Sequence, residues 1–137
     1  MTTPYNPLSD ERLDAYTITF RQEIAFYLRQ LINEATPVTV SFNEGRDSFL
    51  TVLLHIDEAA GRVIIDWSGS EDSNRRFLKA ERGTCVAHPQ GVRHQFSSGP
   101  AKAINWSGRP AFSLPLPTQF IRLQRREFFR LVLPVTQ

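Results

Sequence analysis

The apolar residues change period several times along the chain, and the changes divide it. From about Thr19, residues Phe20, Ile24, Leu28, Leu31 and Ile32 recur on one face of a helix while Arg21, Gln22, Glu23, Arg29 and Gln30 take the others. This predicts an amphipathic helix of about four turns, capped by Thr17 or Thr19 and ended by Pro37, which cannot donate a helical hydrogen bond. Beyond Pro37 the period becomes two: Val38, Val40 and Phe42 alternate with Thr39 and Ser41. A second strand, Phe49–Ile56, is apolar on both faces, and Asp57-Glu-Ala-Ala-Gly-Arg turns it into a third over Val63–Trp67. Asn74–Ala80 reads as a short helical stretch between strands. Gly83–Ala87 and Val92–Phe96 are expected to pair across His88-Pro-Gln-Gly, and Ala101–Trp106 and Ala111–Leu114 across Ser107-Gly-Arg-Pro. The expectation is a mainly β fold with one N-terminal helix: six or seven antiparallel strands in a split-barrel-like domain. It spans residues 1–117, begins with a loosely held arm over residues 1–13, and gives way after Pro115 and Pro117 to a connector over residues 118–137.

Composition narrows the class without changing this picture. At 137 residues, with 41% hydrophobic and 22% charged residues, the chain can bury a core and carries no disordered signature. It has no apolar run of about 18 residues to span a bilayer, and Met1-Thr-Thr-Pro-Tyr-Asn-Pro lacks a signal peptide's layout, so a cytoplasmic location without membrane insertion is expected. Cys85, in the apolar run Thr84-Cys-Val-Ala, reads as a buried strand thiol. His55, His88 and His94 have no metal-ligand spacing, and Asp47, Asp57, Glu58, Glu71 and Asp72 fall in turns, where solvation accounts for them. No catalytic constellation, covalent cofactor or metal is expected. Asn105-Trp-Ser fits a glycosylation sequon, without meaning in a cytoplasmic protein. Asp66-Trp-Ser-Gly and Asn105-Trp-Ser-Gly echo one another but share no surrounding period.

Charge singles out one stretch. Residues 122–130, Arg-Leu-Gln-Arg-Arg-Glu-Phe-Phe-Arg, hold a local charge of +3 in a chain whose formal net charge is +2. Arginine's planar five-donor fork matches phosphate in bidentate fashion and stays charged at any working pH. The run is therefore the candidate anion site, the alternative being a solvated basic face.

Within it, Gln124-Arg-Arg-Glu-Phe-Phe-Arg resembles the start of a PilZ domain, the bacterial receptor module for cyclic di-GMP, whose Arg-x-x-x-Arg motif matches Arg126 and Arg130 with Arg125 in front. In order, Glu23-Ile, Thr36-Pro-Val-Thr-Val, Phe49-Leu-Thr-Val-Leu-Leu, Val63-Ile-Ile-Asp, Asn74 before Arg-Arg-Phe-Leu, Gly91-Val-Arg-His-Gln-Phe, Gly108-Arg-Pro-Ala-Phe and Leu116-Pro resemble the N-terminal domain of YcgR-type flagellar brake proteins. The resemblance implies a non-enzymatic regulatory domain that precedes PilZ. In the intact protein it would reorient against its own PilZ domain on binding cyclic di-GMP and act at the flagellar basal body on motor switch or stator proteins. It implies that Arg125, Arg126 and Arg130 contact the ligand. The family's second motif, Asp/Asn-x-Ser-x-x-Gly after the arginines, has no match here: Asp66-Trp-Ser-Gly-Ser has Glu71 in the glycine position, Asn105-Trp-Ser-Gly-Arg has Pro110, and both precede the arginines. The chain is thus expected to be a fragment with half a site, and weak or no binding of cyclic di-GMP is expected of it. Two other classes remain beside this one: a nucleic-acid binder, suggested by the pI near 9.0, and a flavin-binding split-barrel protein, suggested by fold topology alone.

Overall fold

The computed structural model describes residues 13–125, which form ten strands and two α-helices. The strands are β1 (Leu13–Ile18), β2 (Val38–Phe42), β3 (Asp47–Thr51), β4 (Leu53–Asp57), β5 (Arg62–Asp66), β6 (Gly83–Ala87), β7 (Arg93–Ser98), β8 (Lys102–Trp106), β9 (Arg109–Pro115) and β10 (Phe120–Arg125). The helices are α1 (Arg21–Asn33) and α2 (Glu71–Lys79), with a 3₁₀ turn at Pro89–Gly91. One sheet runs β1-β10-β7-β6-β2-β3 and the other β4-β5-β9-β8, with antiparallel neighbours in both.

The mainly β, antiparallel expectation holds, but its counts need correction. Three strands were not expected. The run Phe49–Ile56 is two strands, because the chain turns a corner at Val52 and passes from one sheet into the other. The corner is held where the Asp66 amide donates to the Val52 carbonyl at 3.1 Å and the Thr51 hydroxyl donates to the Asp66 carbonyl at 2.9 Å. The other two, β1 and β10, come from the supposed arm and connector. Each finds its partner about a hundred residues away, in register from Leu13↔Arg125 to Ile18↔Phe120.

Helix α1 buries Ile24, Ala25, Leu28 and Leu31 as its pattern requires. It starts later than expected, however. Phe20 is the N-cap, without a side-chain capping bond, and is 64% exposed, while Thr17 and Thr19 belong to β1 and the link after it. The stretch around Asn74 is a full second helix, capped by the Ser70 hydroxyl, which accepts from the Ser73 amide at 3.1 Å. Glu71 and Asp72 in its first turn and Arg76 and Lys79 in its last complement its dipole.

The core lies between the sheets. Phe42, Phe49, Phe77 and Phe112 meet there with ring centroids 5.0 to 6.1 Å apart, and Trp67 stacks on Phe112 at 4.4 Å. Phe77 brings α2 so close to β6 that a Cβ on Gly83 would stand 3.1 Å from the Ser41 carbonyl oxygen and 3.4 Å from the Phe77 ring. Asn74, fully buried, ties α2 to the end of β5: its Oδ1 accepts from the Ser68 amide at 3.0 Å and its Nδ2 donates to the Ser68 carbonyl at 3.2 Å. The two Trp-Ser-Gly echoes therefore serve different turns. The second closes the β8–β9 hairpin, where Ser107 and Gly108 both adopt positive φ, 51° and 83°.

Replacing Asn74 by Ala strands two Ser68 backbone groups near the core. The expected loss is about 2 kcal/mol, because a buried polar group without its partner costs about 1–3 kcal/mol. Urea unfolding followed by fluorescence checks it, and an unchanged midpoint contradicts it.

Candidate functional site

The candidate anion site begins where β10 ends. Strand β10 enters the six-stranded sheet between β1 and β7, and its first residues are the best anchored part of the region. The buried Phe120 ring stacks on Tyr27 of α1 at 5.7 Å and on Phe96 of β7 at 5.6 Å, with the His94 ring edge-on at 5.3 Å. Such contacts add about 0.5–1.5 kcal/mol each beyond their buried area. Two residues on, the Arg122 guanidinium lies over the Tyr27 ring, 4.7 Å from its centroid, and Arg122 faces His94 across the β10–β7 ladder.

This divides the four arginines of residues 122–130. Arg122 is half-buried and committed to the domain, fastening β10 to α1 through a cation–π contact. Its Nε is buried without a hydrogen-bond partner. Arg125 is the last residue of β10. Arg126 and Arg130 lie outside the described residues. Sequence reasoning weighed all four as one cluster, because nothing local distinguishes an arginine over an aromatic ring from one in solvent. Tyr27, His94 and Phe120 drew no attention as supports, since their meeting depends on strand order.

Burial holds the His94 imidazole below its ordinary pKa, and the Arg122 charge acts in the same direction, against a hydrogen bond to the Val92 carbonyl at 3.1 Å. A carbonyl only accepts, so Nδ1 carries the proton of the neutral ring. The hollow beside this pair, lined by Gln30, Glu34, Gln90, His94 and Arg122, measures about 70 Å³. A larger concavity, about 680 Å³, lies elsewhere, between the β2–β3 turn and the α2–β6 link. Its charges are mixed: Arg46, Lys79 and Arg82 with Glu44 and Glu81.

The remaining candidates have structural roles. Asp47 accepts from Asn43 and pairs with Arg76 at 3.3 Å, Asp57 accepts from the Ala60 amide at 3.0 Å, Glu58 pairs with Arg29, and Asp72 pairs with Arg75 and Arg76. The three histidines are dispersed: His55 stacks on Trp106 at 4.9 Å, His88 is exposed before the 3₁₀ turn, and His94 is buried. Among the described residues no group of three or more His, Cys, Asp or Glu is placed to hold a metal ion, and no described helix is long and apolar enough to cross a membrane. Burial pushes the Cys85 thiol up to about 12, which keeps it protonated and unreactive at neutral pH.

Residues 16–122 match the family described as flagellar regulator YcgR, PilZN domain. The chain belongs to this family. It is 40% identical over 123 residues to the flagellar brake protein YcgR of Chromobacterium violaceum, covering 90% of this chain and 50% of that protein. It is 37% identical over 128 residues to flagellar brake protein YcgR 2 of Dechloromonas aromatica, covering 93% and 52%. The chain thus spans about half the length of the curated relatives it matches. Its fold resembles that of the YcgR-N domain of Escherichia coli YcgR, with TM-score 0.69, 23% identity, and 83% of this chain against 96% of that one. It also resembles Escherichia coli YcgR in complex with c-di-GMP, with TM-score 0.75, 24% identity, and coverage of 80% and 47%. The PilZN assignment agrees with the resemblance read from the motifs, and these folds place the two-sheet domain within the same architecture.

Two solution measurements test this electrostatic account. A histidine with a depressed native pKa stabilises the fold above its unfolded pKa, about 6.5, and that contribution is lost as pH falls through the lower native value. The urea midpoint is therefore expected to fall between about pH 7 and pH 5. His94→Gln should flatten that fall, and an unchanged pH profile in the variant contradicts the assignment. Cys85 should resist Ellman's reagent at pH 8 in the folded chain and react at once in urea; prompt reaction of the native protein would show an accessible thiol.

Proposed function

We propose that this chain is the regulatory, non-enzymatic domain of a cyclic di-GMP-responsive flagellar brake, and that Arg125, Arg126 and Arg130 contact the dinucleotide. The observation that carries the reading is the position of the arginines. Arg125 is the last residue of a strand of a PilZN-family domain, Arg126 and Arg130 come after it in sequence, and a YcgR of the same fold is known in complex with c-di-GMP. Guanidinium groups suit both parts of such a ligand, since they bind phosphate in bidentate fashion and stack on purine faces.

In this reading the ligand fixes the segment after β10 and so changes how the domain is presented to a following PilZ domain and to flagellar motor switch or stator proteins at the cytoplasmic face of the basal body. Only a ligand with different affinities for two arrangements can drive such a change. Phe120–Arg125, within the expected connector, is strand β10 of the sheet, so in this reading the moving part is not the whole of residues 118–137. The nucleic-acid alternative has less support, because Arg29, Arg75, Arg76 and Arg109 each pair with a carboxylate and do not form a cationic face.

Calorimetric titration of the chain with cyclic di-GMP tests the reading. Contacts from these arginines alone, without the family's second motif, are screened by salt and opposed by ordering entropy. The expectation is weak binding at low salt that fades toward physiological salt and is abolished by Arg126→Ala with Arg130→Ala. A tight stoichiometric isotherm would overturn the half-site account, and equal low-salt binding by the double variant would overturn the arginine assignment.

A further inference from the structure

The four-stranded sheet ends in an open edge. Strand β8 is last in the order β4-β5-β9-β8, so among the described residues β9 is its one strand neighbour. The other edge of this sheet, β4, has α1 packed against it. Edge β3 of the larger sheet is held to α2, with the Phe49 and Phe77 rings 5.1 Å apart and Asp47 paired with Arg76 at 3.3 Å. Strand β8 is less covered: Lys102, Ala103 and Asn105 are exposed, and Ile104 and Trp106 are half-buried. The groups that this edge offers follow from its hairpin. Trp106 and Arg109 flank the loop Ser107-Gly108, whose φ values are both positive, and the residues flanking such a loop form a hydrogen-bonded pair. Pairs then alternate along the ladder. Asn105↔Pro110 is a pair without ladder bonds, where a proline is tolerated, and Ala103↔Phe112 is another. The N–H and C=O groups of Ala103 and Asn105 therefore point away from β9, and an edge of this kind is a template for a further strand. Ala103 lies opposite the core residue Phe112, so Lys102, Ile104 and Trp106 share the other, outer face. There the Trp106 ring is ordered by its stack on His55 at 4.9 Å.

We propose that β8 pairs with β8 of a second copy of this chain, antiparallel about a two-fold axis at Ile104. The strand Lys-Ala-Ile-Asn-Trp is complementary to itself in this register. Ala103 falls opposite Asn105 of the second copy and Asn105 opposite its Ala103, and each of these pairs exchanges both of its hydrogen bonds, so every outward group is used. Ile104 meets Ile104, and Lys102 meets the ordered Trp106 ring on each side of the axis. A lysine on an edge strand ordinarily guards it against self-pairing; in this register it faces an indole instead of a like charge. A ladder of five residues buries less than the roughly 1,000 Å² of a stable interface. The pair therefore forms weakly, with a Kd of roughly 1 mM, and becomes populated where copies are held close, since tethering supplies effective concentrations of that order. The surface is separate from the arginine run and does not rest on dinucleotide binding.

Amide NMR spectra of the 137-residue chain, recorded from about 20 μM to about 2 mM, span the expected Kd and test the pairing. The Ala103 and Asn105 amides should shift with concentration and gain protection from exchange, while the Ile104 amide, directed at β9, gains none. Spectra without concentration dependence would overturn the proposal and leave this edge to an extended segment of another protein. Protection gained on β1 or β3 instead would place the self-contact elsewhere and overturn it too. Ala103→Pro removes an outward N–H and no bond to β9. It should leave the urea midpoint unchanged and weaken association by about tenfold or more, the scale of one hydrogen bond lost on each side of the axis; unchanged association contradicts the edge pairing. Opposite charges at residue 104 test the register. Ile104→Lys and Ile104→Glu should each stay monomeric alone, and their equimolar mixture should associate, because the two-fold axis sets those side chains face to face. A mixture that associates no more strongly than either variant alone would overturn the axis at Ile104.

Discussion

The insertion of β10 between β1 and β7 is the pairing on which the candidate site depends. It joins the two ends of the described chain, since Leu13 stands opposite Arg125. Closing a loop of about a hundred residues costs chain entropy that grows only with the logarithm of its length, so strong local packing at the closure can repay it. The column Tyr27–Phe120–Phe96, with centroid spacings of 5.7 and 5.6 Å, provides that packing at the point where the strand begins. The Arg122 charge is committed to the Tyr27 face, which sets it apart in kind from an arginine in solvent.

The same corner explains an otherwise awkward composition. A half-buried guanidinium and a buried imidazole sit opposite one another on neighbouring strands, an arrangement that is unfavourable if both are charged. The conflict is resolved by keeping the imidazole neutral, which burial and the Arg122 charge both favour. The guanidinium cannot deprotonate, so aromatic contact replaces part of its lost hydration.

How much of this was legible in the sequence follows from the range of each interaction. Helix α1 and strands β2, β5, β6, β7, β8 and β9 show in local periodicity because burial on one face of a local element leaves a local pattern. Strands β1 and β10 do not show, since their pairing depends on partners distant in sequence, β10 for β1 and both β1 and β7 for β10. The corner at Val52 was hidden for a related reason: an apolar run reads the same whether it crosses one sheet or passes between two. The arginine run was conspicuous by charge, but that Arg122 faces Tyr27 depends on where α1 lies over the sheet. Family membership was legible through short motifs spread over the chain.

What the domain can do for a ligand is limited by shape more than by charge. A pocket that encloses a small molecule usually measures about 300–1,000 Å³, whereas the hollow beside Arg122 is about 70 Å³. The larger concavity, by the β2–β3 turn, is lined by charges of both signs. Neither hollow, then, is an enclosed cationic pocket. Phosphate contacts made without enclosure remain in high dielectric and are screened, so their strength must depend on a surface brought to meet them. The anchoring of Phe120 and Arg122 ties the start of β10 to β7 and to α1 together.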